Sequence, residues 1–180
     1  GALCGPNDDV MIPKNSVKTD WEVELAIIIG TRAKCVPEET AMDHVAGYAI
    51  CNDVSEREWQ IERGGTWDKG KGCDTFGPLG PWLVTKDEIA DPQDLPMTLD
   101  VDGKRMQNGS TRTMIFGVRH LVSYVSHFIT LHPGDVISTG TPPGVGLGQK
   151  PPLFLQAGQT MRVAIGGLGE QVQRTVEAAA

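Results

Sequence analysis

Short apolar segments separated by glycine, proline and polar turns run along most of the chain. Several of these segments are rich in β-branched and aromatic residues, which is typical of strands. The predicted strands lie near residues 10–12, 22–29, 48–51, 81–85, 98–101, 104–107, 135–138, 161–165 and 171–176. Asp102-Gly103 separates two of them and predicts a tight hairpin. The pattern therefore predicts a mostly β fold.

Helical signals are confined to two segments. Pro37-Glu38-Glu39 combines a proline suited to the first helical position with acids that complement the helix dipole, and predicts a short helix over 38–45. Apolar residues at helical spacing predict one main amphipathic helix over about 117–129, whose apolar stripe packs on the sheet. The stripe consists of Val118, Leu121, Val122, Val125, Phe128 and Ile129. Residues 62–76 are glycine-rich without a consistent period, and predict a long surface loop. The predicted fold class is therefore α+β, mostly β.

Composition and net charge exclude some classes of binding partner. The 180 residues fit a single domain over 1–180. The net charge of −7, with 16 scattered Lys and Arg, argues against a nucleic-acid or anionic-membrane surface. No apolar run approaches the ~20 residues needed to cross a bilayer, and no secretory signal opens the chain. The four cysteines show no paired or zinc-finger spacing, so reduced thiols are expected. We therefore expect a cytoplasmic protein with a small-molecule partner.

Two carboxylates project from one face of the predicted strand over 22–29. Because side chains alternate along a strand, Glu22 and Glu24 point the same way, with Cα atoms about 6.6 Å apart. Two like charges side by side are unfavourable unless water or a metal compensates them. This spacing is consistent with a metal site and also with a solvent-facing strand edge.

A third carboxylate, Asp53, follows the buried strand at 48–51. A buried carboxylate needs a partner, although Asp53 could instead cap its own loop through Ser55. Together with Glu22 and Glu24, it would form an all-oxygen site, which suits Mg²⁺, Mn²⁺ or Ca²⁺ and disfavours zinc.

Two glycine-rich loops carry further candidates. Lys71 lies in Lys69-Gly70-Lys71-Gly72, where the glycines let the backbone approach a ligand closely and an ammonium could meet an anion. The lysine could instead simply be solvated. The loop over 139–152 lacks the Gly-Lys-Ser/Thr of a phosphate loop, and Pro151-Pro152 forbids the helix that such a loop requires. A rigid loop that offers the hydroxyl and amide of Thr141 to a carboxylate is the better interpretation.

Several motifs, in the right order over nearly the whole chain, resemble those of the fumarylacetoacetate hydrolase family. They are Asp20-Trp21-Glu22-Val23-Glu24-Leu25, Gly47-Tyr48, the segment 52–57 with Gln60, Lys69-Gly70-Lys71, the segment 74–82, Met114-Ile115-Phe116 and the segment 133–146. The resemblance implies a mixed β-roll fold and a homodimer. It also implies a bound Mg²⁺ or Mn²⁺, with Ca²⁺ as an alternative, at Glu22, Glu24 and Asp53.

The resemblance also implies roles for residues that contact the substrate. Gln60, Lys71 and Thr141 match substrate-contacting positions, and Arg57 is a further candidate. Lys71 would act catalytically by steadying an enolate, while Thr141 would hold the substrate carboxylate.

Members of this family cleave or rearrange β-diketo and 2-oxo acids. The segments 62–67 and 148–152 look most like members that act on 2,4-diketo-3-deoxy sugar acids, a group often labelled ureidoglycolate lyases or diene-dioate isomerases. The resemblance thus implies a divalent-metal-dependent hydrolase that cleaves a C–C bond in a β-diketo acid and releases pyruvate and a hydroxy acid. An isomerase or decarboxylase of 2-oxo dicarboxylic acids is one alternative.

One departure from the family pattern supports a second alternative. Relatives carry an earlier segment with a Gly-x-Asn-Tyr-like motif, whose neighbouring histidine and glutamate activate water, and this chain has no such motif. We therefore expect either a longer protein that contains this pair or a non-catalytic binding domain that lacks it.

Overall fold

Twelve β-strands make up most of the regular secondary structure in the computed structural model, which describes residues 1–178. In chain order, the strands are β1 (Leu3–Cys4), β2 (Val10–Ile12), β3 (Thr19–Asp20), β4 (Val23–Ile29), β5 (Val45–Asn52), β6 (Ser55–Glu56), β7 (Gly77–Thr85), β8 (Pro96–Val101), β9 (Lys104–Ser110), β10 (Val136–Ser138), β11 (Thr160–Ile165) and β12 (Gly169–Glu177). This content confirms the predicted mostly β, α+β class. The predicted hairpin at Asp102-Gly103 is the turn between β8 and β9.

The strands form two five-stranded mixed sheets and one small two-stranded sheet. The first sheet has the order β1-β7-β5-β4-β10, and the second has the order β2-β12-β11-β8-β9. Each sheet is antiparallel except for one short parallel edge strand, β1 in the first and β2 in the second. The remaining strands, β3 and β6, pair with each other beside the start of β4.

Most helical segments are single turns. The α-helices are α1 (Asp68–Lys71) and α2 (Val118–Phe128), the 3₁₀ helices are Glu38–His44, Thr111–Thr113 and Gly146–Gly148, and a π-helical turn spans Glu58–Glu62. The short helix predicted over 38–45 is therefore present as a 3₁₀ helix. The prediction of a loop without regular structure over 62–76 was wrong at α1.

Helix α2 departs from its predicted packing at its carboxyl end. Val118 and Val122 are buried in the core, as the apolar stripe predicts. Phe128 and Ile129, however, are 67% and 57% exposed, so the buried stripe ends at Val125. The side chain that is buried at this end of the helix is Ser126, whose hydroxyl accepts a hydrogen bond from the Val36 N–H at 2.9 Å.

Strand β4, which lies between β5 and β10 in the first sheet, is buried on both faces. Its odd-numbered residues join the main core, which also contains residues of the second sheet such as Leu99. Ala26 and Ile28 point to the opposite face and form a smaller apolar cluster with residues of β5. Alternation places Glu24 on that second face. Within residues 1–178, no helix is both long and apolar enough to cross a membrane.

Candidate metal centre

The pairing of β4 with β5 brings the three predicted carboxylates together. Glu24 lies opposite Cys51 in the register, and Asp53 lies two residues beyond Cys51, so both acids share a face. The backbone N–H of Asp53 donates to the Glu22 carbonyl at 2.9 Å and fixes the end of β5 beside Glu22. One carboxylate oxygen from each of the three acids lies within 4.8 Å of the others. Their role as metal ligands stays a prediction.

Glu24 is the member of this cluster that lacks a positive partner among the described residues. It is 3% exposed, and its Oε2 accepts hydrogen bonds from the Ser138 hydroxyl at 2.5 Å and the Gly140 N–H at 2.8 Å. Burial and the charges of Asp53 and Glu22 raise the pKa of Glu24 to about 8. Two neutral donors therefore do not offset the cost of a buried charge beside two other acids.

Lys71 spans the other two acids. Its ammonium donates to Glu22 Oε2 at 2.7 Å and to Asp53 Oδ2 at 2.6 Å. Burial lowers the pKa of Lys71, but Glu22 and Asp53 raise it by more, and the net pKa lies above its ordinary value. Burial is also the main cause of the raised pKa of Asp53, against which Lys71 acts. Lys71 is therefore charged and belongs to the cluster.

The position of Lys71 depends on a glycine beside it. A Cβ at Gly70 would lie 2.5 Å from the Glu56 carbonyl oxygen and 2.6 Å from the Gln60 Cβ. This close approach lets α1 pack directly on the π-helical turn. The sequence suggested that glycine lets the backbone approach a ligand here. In the structure, Gly70 instead lets the backbone approach Glu56 and Gln60 of the same chain.

Arg57 connects Glu22 to two further buried side chains. Its guanidinium donates to Glu22 Oε1 at 2.6 Å, to Asp20 Oδ2 at 2.9 Å and to Gln60 Oε1 at 3.1 Å. Asp20 also accepts the backbone N–H groups of Gly146 and Leu147 at 2.6 and 2.9 Å. Arg57 thus holds Gln60 and Glu22 in place, and direct substrate contact by Arg57 or Gln60 stays a prediction.

Thr141 lies on the loop that follows β10. Its hydroxyl donates to the Val23 carbonyl at 2.9 Å and accepts from Gln107 Nε2 at 2.7 Å. Gln107 Oε1 in turn accepts the Val23 N–H at 3.0 Å. The hydroxyl that was predicted to bind a substrate carboxylate is therefore engaged with the protein. The backbone N–H of Thr141 has no protein partner within residues 1–178 and is the group left for a ligand.

Sequence reasoning missed the supporting roles of Asp20 and Gln107. Both side chains are fully buried and act through partners more than 30 residues away. Asp20 gave a weak signal, because it is an acid directly before a buried strand. Gln107 gave none, since glutamine is an ordinary residue in a solvent-exposed hairpin.

The donor set fits one hard divalent cation. Four carboxylates meet here, those of Asp20, Glu22, Glu24 and Asp53, against the two cations Arg57 and Lys71. The difference is two uncompensated negative charges when every acid is ionised. All-oxygen ligands favour Mg²⁺, Mn²⁺ or Ca²⁺ over softer metals.

Space for a small organic acid lies next to this cluster. A cavity of about 430 Å³ is lined by Gly140 and Thr141, with apolar surface from Met114, Phe116 and Leu121. Gly140 contacts both the cavity and Glu24, so the two are adjacent. A cavity of this size suits a ligand of metabolite dimensions.

Comparison with known proteins agrees with this picture. A family model described as Fumarylacetoacetate (FAA) hydrolase C-terminal matches residues 1–176. A Burkholderia orbicola (strain AU 1054) protein with the curated name "Putative hydrolase" is 67% identical over 178 residues, which are 98% of this chain and 63% of that protein. The chain thus spans less than two thirds of the length of this relative.

Two solved structures are similar over almost the whole chain. A fumarylacetoacetate hydrolase from Exiguobacterium antarcticum has a TM-score of 0.94 and 41% identity, covering 98% of this chain and 64% of that one. A 2-hydroxyhepta-2,4-diene-1,7-dioate isomerase from Mycobacterium marinum has a TM-score of 0.90 and 40% identity, covering 99% of this chain and 67% of that one.

Proposed function

Because the chain belongs to the fumarylacetoacetate hydrolase family, we propose that it is a divalent-metal-dependent hydrolase that cleaves a C–C bond in a β-diketo (2,4-dioxo) acid. The substrate class that we propose is a 2,4-diketo-3-deoxy sugar acid, with pyruvate and a hydroxy acid as products. The observation that carries the proposal is the surplus of two negative charges that remains when Asp20, Glu22, Glu24 and Asp53 are set against Arg57 and Lys71. Glu24 is the acid of this set with no cationic partner among the described residues.

Glu22, Glu24 and Asp53 would hold the metal ion, for which Mg²⁺ or Mn²⁺ is the first choice and Ca²⁺ the alternative. When bound, a divalent ion supplies Lewis-acid polarisation of the substrate's keto and carboxylate oxygens. The residues around it are hydrogen-bond donors that favour negative charge on a substrate.

Lys71 is the proposed catalytic residue. Its ammonium is already charged and held beside the carboxylates by 2.6 and 2.7 Å contacts. Lys71 would donate an N–H to the enolate oxygen that gains charge as the C–C bond breaks, in place of one of its contacts with Glu22 and Asp53. Gln60, held by Arg57, and the free N–H of Thr141 would orient the substrate.

The described side chains that touch the carboxylates are donors, namely Lys71, Arg57 and Ser138. We therefore assign binding, orientation and charge stabilisation to this chain's residues, and we assign activation of water to none of them.

The experiment measures the melting temperature of the protein with chelator and then with Mg²⁺ or Mn²⁺. We expect either ion to raise the melting temperature, and we expect Glu24→Gln to abolish the increase, because the charge that binds the ion is gone. Glu170→Gln, which removes an exposed carboxylate that pairs with Arg162, is the matched control and should respond like wild type. No response in wild-type protein would refute the metal site.

An isomerase is the second candidate function, and the 40% identity to the Mycobacterium marinum isomerase favours it. An assay of pyruvate release with diketo acid, oxaloacetate and dienoate substrates separates the candidates. Pyruvate from a diketo acid supports the hydrolase, pyruvate from oxaloacetate supports a decarboxylase, and a shift of dienoate absorbance without pyruvate supports the isomerase. Metal binding without any turnover supports a non-catalytic binding domain.

Two further proposals concern the assembly of the protein and its location in the cell. We propose a homodimer, which light scattering of the purified protein would detect as twice the 19.4 kDa chain mass. We also propose a cytoplasmic location, consistent with four free cysteines among the described residues.

A further inference from the structure

A second cavity lies on the other side of the first sheet from the carboxylate cluster. It has a volume of about 490 Å³, and Tyr48 of β5 is one of its lining residues. Tyr48 belongs to the main core, whereas Cys51, which is opposite Glu24, belongs to the smaller cluster on the other face. This cavity is therefore separate from the site proposed above.

The phenol of Tyr48 is an unused donor in this cavity. Tyr48 is 1% exposed, and its hydroxyl has no hydrogen-bond partner among the described residues. Buried hydroxyls in native proteins are nearly always bonded, since an unpaired one is costly. Burial raises the pKa of Tyr48 to about 12, so the group remains a donor at neutral pH. An acceptor from outside the chain would satisfy it.

Two basic side chains line the same cavity. Arg119 and Lys86 both line the cavity, and each uses only part of its donor capacity on backbone carbonyls of the 3₁₀ helix Glu38–His44. Helix α2 also begins here; the Val118 N–H at its start donates to Gln93 Oε1 at 2.5 Å, and the next two N–H groups have no partner among the described residues. A helix amino terminus adds partial positive charge and free N–H groups.

The remaining lining residues limit the ligand. Asp91 contributes one negative charge, which leaves a net charge of about +1 with Arg119 and Lys86 and disfavours a dianion. Apolar side chains, among them Met42 and Ile89, form the rest of the wall. A ligand that fits carries a single negative charge at one end and an apolar body at the other.

We propose that this cavity is a second binding site, for a small monocarboxylate whose carboxylate accepts the Tyr48 hydroxyl and pairs with Arg119. The apolar body of the acid packs against the wall at Met42 and Ile89. Occupancy of this site ties the start of α2 to β5 and to the 3₁₀ helix, because all three line the cavity.

Benzoate is a suitable probe, and its binding to the 180-residue chain is measured by calorimetry in the presence of chelator. We expect saturable binding of benzoate and none of neutral benzamide. Tyr48→Phe removes one oxygen and should weaken binding about fivefold, the effect of a hydrogen bond of about 1 kcal/mol. Because that hydroxyl bonds nothing in the chain, the variant should fold with no loss of melting temperature.

Three further measurements complete the test. Arg119→Gln should weaken benzoate binding more than Tyr48→Phe, whereas Arg162→Gln, which removes an exposed arginine elsewhere, should leave it unchanged. Lys71→Gln should also leave it unchanged, which separates this cavity from the catalytic cluster. Benzoate that binds Tyr48→Phe as tightly as wild type, that fails to bind at all, or that binds less tightly than inorganic phosphate would overturn the proposal.

Discussion

Among Glu22, Glu24 and Asp53, Glu24 is the most buried and has the least compensated charge. Its pKa in the folded protein is raised from 4.5 to about 8, mainly by burial. A group with a raised pKa stabilises the fold at low pH, and that contribution is lost as the pH rises through the folded pKa. Ionisation of Glu24 therefore opposes folding unless a cation compensates it.

We predict that the melting temperature of the chelated protein falls between pH 5 and pH 9, because Glu24 must ionise in place. Added Mg²⁺ should remove most of this fall, since the ion offsets the charge. Glu24→Gln, which cannot ionise, should flatten the pH profile without metal. A chelated wild type as stable at pH 9 as at pH 5 would contradict the prediction; circular dichroism in a multi-component buffer is the measurement.

Asp20 is a second single residue with a large expected effect, in this case on the stability of the fold. It is fully buried and holds Arg57 together with the N–H groups of Gly146 and Leu147. We predict that Asp20→Asn lowers the free energy of unfolding by about 3 kcal/mol, because the buried Arg57 loses one of its two carboxylate partners and the N–H groups of Gly146 and Leu147 lose a charged acceptor. Urea unfolding measures this loss.

Asp94→Asn is the matched control for Asp20→Asn. Asp94 also pairs with an arginine, Arg112, but both are exposed to solvent. Exposed ion pairs contribute little to stability, so the urea midpoint of the control should not change measurably. Equal losses in the two variants would mean that burial of the Asp20–Arg57 pair is not what matters.

Some side-chain contacts in the site could be predicted from the sequence and others could not. Glu22 and Glu24 could be predicted as neighbours because strand alternation is a local rule. Asp20 and Gln107 could not, because their roles come from contacts with segments distant along the chain. The engagement of the Thr141 hydroxyl has the same origin, since its partners lie on β4 and β9.

Among the elements, the short helix α1 has the most direct effect on the site, because it carries Lys71. Its contact with the π-helical turn leaves no space for a side chain at Gly70, where a Cβ would meet backbone at 2.5 Å. We predict that Gly70→Ala destabilises the protein by about 1–3 kcal/mol and moves Lys71 away from Glu22 and Asp53. Urea unfolding and the pyruvate assay measure the two effects.

Gly148→Ala provides the comparison for this element. Gly148 lies in another single helical turn, and its added Cβ would be 3.8 Å from the Val145 side chain, an ordinary contact. The control should therefore keep wild-type stability and turnover. If Gly70→Ala behaved in the same way, packing of α1 would not determine where Lys71 lies.

Strands and helices were predicted well where the apolar pattern was sustained over several residues. They were predicted poorly where tertiary packing determines the local structure. The strands around β4 and the hairpin of β8 and β9 follow from alternation and from Asp102-Gly103. Helix α1 was missed, because four residues with glycine at position 70 carry no helical period. Phe128 was misplaced because the helical pattern continues past the point where the core ends.

For the whole molecule, the two mixed sheets enclose one main core to which both contribute. The class and the mixed β topology could be predicted from the family resemblance, but the sequence pattern alone gives strands without their order. Sheet order is set by pairings such as that of β4 with β10, whose strands are more than 100 residues apart. Local patterns hold no information about such partners.

That pairing also has a consequence for how the protein is made. Ser138 and Gly140 donate hydrogen bonds to Glu24, and they follow Glu24 in the sequence by 114 and 116 residues. The ribosome adds about 5–20 residues per second, so Glu24 is synthesised roughly ten seconds before Ser138 and Gly140. Contacts of such long sequence separation also slow folding. The carboxylate cluster is thus assembled late, and a nascent chain carries the acids of the site well before it can arrange them to hold an ion.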